Sequence, residues 1–566
     1  MVEINAGQAI VNALRAEGVS HVFGMPGGHV LPLYDAIHRT PGISSFLVRH
    51  EHHAAAMAAA YAQLTGRPAV VLVTAGPGVT NTLTAVAEAY VGALPMIVLG
   101  GRGATATAHR GASQEVATDQ VFAPVTKWSV RVDRADLLTD VLRQGFARAR
   151  GGRPGPVLID IPRDLLTLDV PDKPYLPVGP PARPAADQPA VDAAAAALAG
   201  ARSPLIIAGG GVASSGAFDE LRALAERLSA PVLTSLAGRG SLPDDHPLAA
   251  GGLGAHRNPV AKRLLAEADV VLGLGTRFEE METNWQPTAL PSPDATYIQV
   301  DIDPAELGRA IPAHVPVNGD IKRVLEQLLT ALPEDTHASP GRTERLLQDI
   351  TALNAAVDRM ALDDRAPIHP ARVIRTARSV FPRDTVLGVD VGALAQHIGG
   401  AFPFFRVYQP RSVITPSSFY GMGFAAAALP AARLVHPRRP ALCFVGDGSF
   451  QMVMNIVPMA AQYGLAVTWC VLNDDALGSI RDLQEHTYGN RIQDTEFPFQ
   501  PDFARLAEAC GAYGERVDDP AAVPDALKRA LAENAAGRPA VLDFAVARTR
   551  LAQTKEHYFT TYPQDE

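Results

Sequence analysis

The stretch that decides the fold is Gly446-Asp447-Gly448-Ser449-Phe450, which directly follows the apolar run 441–445. The pattern predicts a strand over that run, a helix over 451–464 and a second buried strand over 466–472, which leads to Asp474. We therefore expect one strand-helix-strand unit that presents Asp447, in a tight glycine turn, and Asp474 at the same edge of a parallel sheet. Open parallel sheets bind their ligands at this carboxyl edge.

The two carboxylates and the adjacent glycines indicate a site for a divalent cation and an anion. Carboxylate oxygens are the hard ligands that Mg²⁺ prefers, and glycines let backbone N–H groups approach a phosphate. The residues alone leave another account open, in which Asp447 only forms a turn and Asp474 only caps a helix.

This stretch resembles the thiamine diphosphate motif of the acetolactate synthase/pyruvate decarboxylase superfamily, where Gly-Asp-Gly is followed by an Asn-Asn or Asn-Asp pair. The resemblance implies that Asp447, Asp474 and the carbonyl of Ala476 bind Mg²⁺. The family usually has asparagine where this chain has Asp474, a difference that keeps the oxygen and adds a charge. It further implies that the cofactor contacts Gly446, Gly448, Ser449, Leu477 and Gly478.

Composition is that of a globular protein with several domains. The chain has 566 residues, of which 47% are hydrophobic and 19% charged, and this length exceeds a single hydrophobic core. The net charge is −9 without a cluster of Lys or Arg, so the sequence favours neither nucleic acid nor an anionic membrane as a partner. The beginning of the chain lacks the basic and apolar regions of a signal peptide, and we expect a cytoplasmic protein.

Three domains are expected, each an α/β unit with a doubly wound parallel sheet. Helical and strand patterns alternate near the start of the chain, with helices at 5–17, 29–38 and 51–65 and strands at 20–24, 45–48 and 69–74. Cys443, Cys470 and Cys510 lie in apolar patterns, which indicates reduced core residues. The expected boundaries are 1–170 for a pyrimidine-binding domain, 171–190 for a linker, 191–335 for a central domain, 336–366 for a second linker, 367–548 for a diphosphate- and Mg²⁺-binding domain, and 549–566 for a tail or lid.

Glu51 is the main catalytic candidate. It stands in the first turn of the alanine-rich helix 51–65, where favourable helix-dipole chemistry is the simpler explanation of an acid. The resemblance implies instead that Glu51 hydrogen-bonds N1′ of the cofactor's aminopyrimidine and promotes the tautomer that activates it. By the same resemblance, the pyrimidine lies against Pro26, Gly27, Gly28, Pro77 and Asn81.

Two residues of the third domain complete the expected cofactor site. Met422 follows Gly421 and would ordinarily be core filler, but it matches the apolar residue on which the cofactor bends in the family. Gly392 forms the turn after the strand predicted at 386–391.

The central domain has glycines at 209–211 and 251–254 and the segment Asp301–Pro304, all of which resemble the acetolactate synthase branch. That branch binds FAD there, whereas other branches bind ADP or nothing. Glycine runs alone are weak indications of a nucleotide, so FAD, ADP and the absence of any ligand all stay open.

The expected substrate pocket departs from acetolactate synthase. Ser113 replaces a phenylalanine, Leu483 replaces a tryptophan, and Glu279-Glu280-Met281 replaces the Asp-Asp-Arg that fixes the carboxylate of a second 2-oxo acid. Loss of such an arginine removes a charged hydrogen bond of about 1.5–3 kcal/mol. His29 and Gln114, together with Glu51, also resemble benzaldehyde lyase, and His29 could move protons near neutral pH.

Three functions follow from this pattern. The principal one is thiamine diphosphate- and Mg²⁺-dependent decarboxylation of a 2-oxo acid with carboligation. The second is a lyase or carboligase of 2-hydroxy ketones or 2-hydroxyacyl-CoA, and the third is a non-catalytic thiamine-fold binding protein. Glu51 and Asp447 lie in different domains, which in the family meet across subunits, so the resemblance implies a homodimer or a dimer of dimers.

Overall fold

The computed structural model describes residues 3–253, 258–283, 285–334, 341–392 and 403–548. Three six-stranded sheets, all parallel, account for most of the strands, and β1 and β8 (defined below) form a separate antiparallel pair. The prediction of three doubly wound parallel sheets is therefore confirmed. Gly254, the side chain of Met281 and the expected tail 549–566 lie outside the described residues.

The first sheet has the strand order β3-β2-β4-β5-β7-β6. The six elements predicted between residues 5 and 74 are all present, with ends displaced by at most two residues. Elements of this region are β1 (Glu3–Asn5), α1 (Ala6–Ala16), β2 (His21–Met25), α2 (Leu31–Arg39), β3 (Ser44–Leu47), α3 (Glu51–Thr65), β4 (Ala69–Val73), α4 (Pro77–Thr80), α5 (Leu83–Val91), β5 (Met96–Arg102), α6 (Thr118–Phe122), β6 (Trp128–Arg131), α7 (Leu138–Arg150), β7 (Pro156–Pro162) and β8 (Asp169–Pro171).

The second sheet has the order β11-β10-β9-β12-β13-β14, which is the 3-2-1-4-5-6 order of dinucleotide-binding folds. Its elements are α8 (Gln188–Ala199), β9 (Pro204–Ala208), α9 (Gly210–Ser215), α10 (Phe218–Leu228), β10 (Val232–Thr234), β11 (Ala249–Gly252), α11 (Pro259–Glu267), β12 (Val270–Leu274), α12 (Glu280–Thr283), β13 (Thr296–Asp301), β14 (Val315–Asn318) and α13 (Ile321–Ala331).

The third sheet has the order β16-β15-β17-β18-β20-β19. Its region contains α14 (Arg342–Ala361), α15 (Pro370–Val380), β15 (Val386–Val389), β16 (Val413–Ile414), α16 (Phe424–Ala428), α17 (Ala431–Val435), β17 (Ala441–Gly446), α18 (Asp447–Val453), α19 (Val457–Gln462), β18 (Thr468–Asn473), α20 (Gly478–Thr487), α21 (Phe503–Ala509), β19 (Tyr513–Val517), α22 (Val523–Ala535) and β20 (Ala540–Ala545).

The first and third sheets share one topology. In each, the first strand in the chain lies between the second and the third, so the direction of winding reverses beside it. Ligands of open α/β sheets bind at such a switch point, outside the carboxyl ends of the strands. The expected crevices are therefore at the ends of β2 and β4 in one sheet and of β15 and β17 in the other.

The prediction of one helix over 451–464 is wrong. Helix α18 begins at Asp447 itself, a 3₁₀ turn follows at Met454–Ile456, and α19 begins at Val457. Pro458 explains the break, because it has no N–H to donate and its ring restricts the preceding residue. Asp447 consequently opens a helix rather than a tight glycine turn.

The chain divides into two compact units. The first contains residues 1–182, 419–437 and 453–465, and the second contains 183–418, 438–452 and 466–566. Within the first unit, α16 and α17 pack against α3, whose alanines are fully buried. In both units the central strands are apolar on both faces, as parallel strands covered by helices require.

Candidate functional site

Glu51 is the first residue of α3 and lies at the carboxyl edge of the first sheet. Its carboxylate is buried, and Oε2 accepts a hydrogen bond of 2.9 Å from Nδ2 of Asn81. The preceding His50 caps the helix, because its Nδ1 accepts the N–H of His52 at 3.2 Å. The helix thus begins at Glu51, and the acid has a fixed partner.

Glycines surround Thr74 close to this acid. A methyl group on Gly27 would lie 2.5 Å from Cβ of Thr74, and one on Gly78 would lie 2.8 Å from Cγ2 of Thr74 and 3.7 Å from Oε1 of Glu51. The loops after β2 and β4 therefore meet with no room for a side chain. Pro26 and Pro77 are exposed beside them, and nothing lies within 4 Å of a methyl group placed on Gly28.

His29 lies in the same crevice. Its Nδ1 is 3.3 Å from Oγ1 of Thr74, and its Cβ lies 2.8 Å from a methyl group placed on Gly101 in β5. Burial, and then the positive charge of Arg163, lower the pKa of His29 below its ordinary value. A neutral imidazole is therefore favoured near pH 7, with one nitrogen able to accept a proton.

The segment that contains Gln114 borders this crevice at Gly76. Gly76 has φ +57°, and a methyl group there would lie 2.7 Å from the carbonyl oxygen of Gln114. Gln114 itself has a left-handed backbone, with φ +63°, and both Ser113 and Gln114 are exposed. The geometry thus brings Gln114 near the Glu51 loops, whereas it assigns no contact to Ser113.

A buried ion pair anchors the base of that segment. Arg102, at the end of β5, bonds Asp160 at 2.7 Å and Asp119 at 3.1 Å, and Thr118 donates to Asp160 at 2.6 Å. Burial raises the pKa of Asp160, although Thr118 and Arg102 act in the opposite direction. No local sequence pattern joins residues so far apart, so this cluster is not predictable from the sequence alone.

Met422 is half-buried in the turn before α16. The N–H of the adjacent Gly421 donates to Oε2 of Glu88 at 3.1 Å, and Glu88 is buried in α5. This bond ties the turn that contains Met422 to α5, within the first unit.

In the second unit, Asp447 and Asp474 follow two neighbouring strands. Gly446 of β17 pairs with Leu472 of β18, so both carboxylates leave the same sheet edge. Both are buried, and burial raises the pKa of Asp447 to about 7, helped by the charge of Asp474. Burial also raises the pKa of Asp474 to about 6, and the charge of Arg548 opposes that rise.

The loop after Asp474 is tightly folded. A methyl group on Gly478 would lie 2.5 Å from Oδ2 of Asp474, and the Asp475 backbone is left-handed, with φ +54°. The N–H of Leu477 donates to the carbonyl of Thr495 at 2.8 Å, and Ala476 forms a bridge with Glu496. The conformation expected from the Asp474–Gly478 motif therefore depends on a distant segment, 495–500.

For the other predicted residues of the second unit, no contact with Asp447 or Asp474 is assigned. Ser449 is buried in α18, and Leu483 is half-buried in α20. Gly392 has φ +106°, and the atom nearest to a methyl group placed on it is Oγ of Ser479, at 4.0 Å. Nothing lies within 4 Å of a methyl group on Gly446.

The donor chemistry fits Mg²⁺ with a diphosphate. Two buried carboxylates with raised pKa values call for a cation, and two side-chain ligands plus a carbonyl leave coordination positions for phosphate and water, as Mg²⁺ usually requires. Across the described ranges there is no group of three or more His, Cys, Asp or Glu side chains arranged to hold a metal. A metal here would need the diphosphate as part of its coordination.

The glycines of the central domain have a packing explanation. Methyl groups on Gly209 and Gly211 would lie 2.1 and 2.7 Å from Gly275, and both N–H groups already donate, to Leu274 and Gly275. Thr276 Oγ1 and Tyr297 Oη, in contrast, are buried polar atoms without a hydrogen-bond partner in the described part of the chain.

No helix in the described ranges is long and apolar enough to cross a bilayer. The cytoplasmic location expected from the sequence stays a prediction.

Comparison with known proteins identifies the family. Three family models match: the N-terminal TPP binding domain of thiamine pyrophosphate enzymes over 4–122, their central domain over 191–328, and their C-terminal TPP binding domain over 393–544. These matches define the class as a thiamine pyrophosphate enzyme.

Curated relatives narrow the class. The chain is 34% identical to a probable acetolactate synthase large subunit of Methanocaldococcus jannaschii, over 96% of this chain and 92% of that protein. It is 34% identical to the large subunit of acetolactate synthase isozyme 3 of Escherichia coli (96% and 95%) and 35% identical to an acetolactate synthase of Mycobacterium bovis (96% and 88%). The chain therefore belongs to the acetolactate synthase-like family of thiamine diphosphate-dependent enzymes.

Proposed function

We propose that this enzyme decarboxylates a 2-oxo acid and joins the remaining acyl unit to a second carbonyl compound, as the names of its acetolactate synthase relatives suggest. The observation that carries the proposal is the pair of buried carboxylates, Asp447 and Asp474, at neighbouring strand ends of a chain whose first sheet presents Glu51. Bound thiamine diphosphate supplies a nucleophilic carbon and accepts the electron pair released with CO₂.

Glu51 holds or transfers a proton at the pyrimidine. Its carboxylate is oriented by Asn81 and lies beside the glycine loops after β2 and β4, where only Gly28 has open space next to it. A positioned carboxylate of this kind contributes about 10²–10⁴-fold to a rate by acid–base catalysis. His29, whose Nδ1 lies 3.3 Å from Oγ1 of Thr74, donates a proton to the oxygen of the second carbonyl compound as the new C–C bond forms, and takes a proton back when the product is released. Gln114 donates an amide hydrogen bond near it.

Asp447, Asp474 and the carbonyl of Ala476 hold Mg²⁺, with the glycines of both loops beside the diphosphate. Met422, fixed by the bond between Gly421 and Glu88, supports the bend of the cofactor.

The acceptor is less strictly a carboxylate than in acetolactate synthases. Arg277, two residues before the altered segment 279–281, is paired with Glu279 at 2.7 Å, and the half-buried Glu282 follows that segment. A cation already neutralised by an acid binds a second carboxylate weakly. Ser113 and Leu483, which replace aromatic residues of the family, would by that resemblance leave more room for the acceptor.

The test is a panel of 2-oxo acids supplied with and without an aldehyde or a second 2-oxo acid, with CO₂ and ligation products measured. CO₂ release together with a new C–C bond supports the proposal. Cleavage of 2-hydroxy ketones or 2-hydroxyacyl-CoA without CO₂ release would show that the enzyme is a lyase and not a decarboxylase. Binding of the cofactor with no turnover of any substrate would make it a binding protein.

The assembly proposed is a homodimer or a dimer of dimers, in which Glu51 of one subunit serves the cofactor held by Asp447 of another. The support is the resemblance to the family and the position of the two residues in separate units of the chain. Co-assembly of Glu51→Gln with Asp447→Asn chains tests it. Shared sites would include some with both defects and some with none, so activity would return; sites within one chain would each keep a defect, and no activity would return.

The central domain binds a nucleotide, FAD or ADP, at its switch point between β9 and β12. The strand order supports a ligand there, whereas the glycines do not, since packing explains them. The Thr276 and Tyr297 hydroxyls are enclosed by protein and are not counted toward this site. A visible flavin spectrum of the purified protein, or adenine absorbance released on denaturation, would identify the ligand. Purified protein that contains neither FAD nor ADP, and binds neither when they are added, would contradict the proposed nucleotide site.

A further inference from the structure

We propose that Gln500 is a positioning residue that holds the carboxylate of Asp447 ready for Mg²⁺, and that Gln451 sets the direction of the Gln500 amide. The inference rests on the proposed function, because it concerns the metal site assigned above. Neither glutamine belongs to the motif that identified this site.

The contacts form a chain of three side chains. Nε2 of Gln500 donates a short hydrogen bond to Oδ2 of Asp447, and Oε1 of Gln500 accepts one of 2.8 Å from Nε2 of Gln451. Gln451 lies in α18, one helical turn after Asp447, whereas Gln500 arrives from the segment before α21. All three residues belong to the second unit.

The two bonds together determine how the Gln500 amide is oriented. An ionised carboxylate can only accept hydrogen bonds, so Asp447 requires the NH₂ group of Gln500. The opposite end of the amide then presents its oxygen, which needs a donor, and Gln451 provides one. If the Gln500 amide were reversed, its oxygen would face Asp447, and two acceptors would oppose each other.

The Gln500 bond leaves acceptor positions on Asp447 for a cation. The backbone N–H groups of Gly448 and Ala476 favour the ionised carboxylate and so oppose the effect of burial on its pKa. A carboxylate offers about four acceptor positions, and the Gln500 amide occupies one of them, at Oδ2. Partners that orient a ligand in this way typically contribute about 10- to 100-fold to metal affinity.

Backbone contacts hold the segment that carries Gln500, independently of its side chain. Leu477 donates to Thr495 at 2.8 Å, and Phe497 donates to the carbonyl of Asp475 at 2.9 Å. The Phe497 ring lies 3.3 Å from a methyl group placed on Gly448. Loss of the Gln500 amide should therefore leave the segment in place.

The test is the dissociation constant of Mg²⁺, measured by calorimetric titration of the full-length protein at saturating thiamine diphosphate. Gln500→Met keeps the length of the side chain and removes the donor, and it should weaken Mg²⁺ binding about tenfold or more. Gln451→Met should weaken it less, and should add nothing in the Gln500→Met background, since Gln451 acts only through Gln500. Gln493→Ala, an exposed side chain of the same region, should leave the affinity unchanged.

Each other result overturns the inference. If Gln500→Met binds Mg²⁺ as tightly as the unaltered protein, the amide does not position Asp447. If it binds more tightly, Gln500 competes with the metal instead of preparing its site. If the losses in the two single variants add, Gln451 acts by another route. Should the unaltered protein bind neither Mg²⁺ nor thiamine diphosphate, the proposed function itself fails, which is a distinguishable outcome.

Discussion

Asn81, in the turn that joins β4 to α5, donates a hydrogen bond of 2.9 Å to Glu51, the first residue of α3. The two residues come from separate segments of the first sheet, and the glycines between them leave no side chain in the way. This bond fixes the side chain of the proposed catalytic acid before any ligand binds.

Glu51→Gln should retain thiamine diphosphate binding and lose at least about 10²-fold in turnover, because the amide cannot exchange a proton with the pyrimidine. Asn81→Ala should cost less turnover, since it removes the orienting bond and leaves the Glu51 carboxylate in place, and it should weaken cofactor binding where Asn81 contacts the pyrimidine. Turnover and cofactor affinity measured on both variants provide the test. A fully active Glu51→Gln enzyme would show that the activation scheme is wrong.

Gly27→Ala should destabilise the protein, because the added methyl group would lie 2.5 Å from Thr74 Cβ. Overpacking of this kind typically costs about 1–3 kcal/mol. Gly28→Ala is the matched control, since nothing lies within 4 Å of the added methyl group. Thermal unfolding of the cofactor-free variants measures the difference, and equal midpoints for the two would contradict the close packing of the loops.

The sequence was informative where local pattern and chemistry coincide. Glu51 was expected at the first turn of a helix over 51–65, and α3 has those bounds. Asp447 and Asp474 were expected at one sheet edge, and the parallel pairing of β17 with β18 places them there. In each case an apolar run ends just before the polar residue, so the same sequence pattern predicts both the strand and the position of the site residue.

Residues that depend on tertiary contacts were not predictable in this way. Gln500 reaches Asp447 across 53 positions of the chain without any motif, and Arg102 meets Asp160 across 58. The break between α18 and α19 was missed because the apolar periodicity continues through Pro458. The roles of Ser113 and Leu483 stay predictions, since no described contact assigns them to a pocket.

The half-buried Glu282 should make stability depend on pH. Burial, and then the charge of Glu279, raise its pKa to about 8, from about 4.3 in an unfolded chain. A carboxyl group with a raised pKa in the folded state stabilises the fold least when ionised, so its contribution falls as the pH rises from about 4 to about 8, by about 1.4 kcal/mol for each pH unit.

Glu282→Gln should therefore gain in unfolding temperature over the unaltered protein as the pH is raised from 5 to 8. The glutamine oxygen can still accept the N–H of Leu236, which Glu282 accepts at 3.0 Å. Glu280→Gln, an exposed neighbour, should show no such trend. A constant difference across the pH range would mean that Glu282 is ionised in the folded protein.

Arg102→Met should be among the more destabilising single changes in the first unit. It would leave Asp160, which is fully buried and has Oδ1 without a partner among the described residues, with only Thr118 as a side-chain donor. Removing one member of a buried ion pair typically costs about 3–5 kcal/mol, because the other charge stays uncompensated. Arg131→Met breaks the exposed pair with Asp133, with side chains 37% and 65% exposed, and should cost about 0–1 kcal/mol.

The same change should also loosen the segment that carries Gln114, since Arg102 ties Asp119 and Asp160 to the base of that segment. Urea unfolding of both variants measures the stability difference, and hydrogen exchange over residues 103–118 measures the local loosening. If Arg102→Met lowers stability no more than Arg131→Met, then Asp160 is protonated in the fold and the Arg102 contact contributes little. If hydrogen exchange over residues 103–118 becomes faster while the free energy of unfolding is unchanged, Arg102 orders only the segment that carries Gln114.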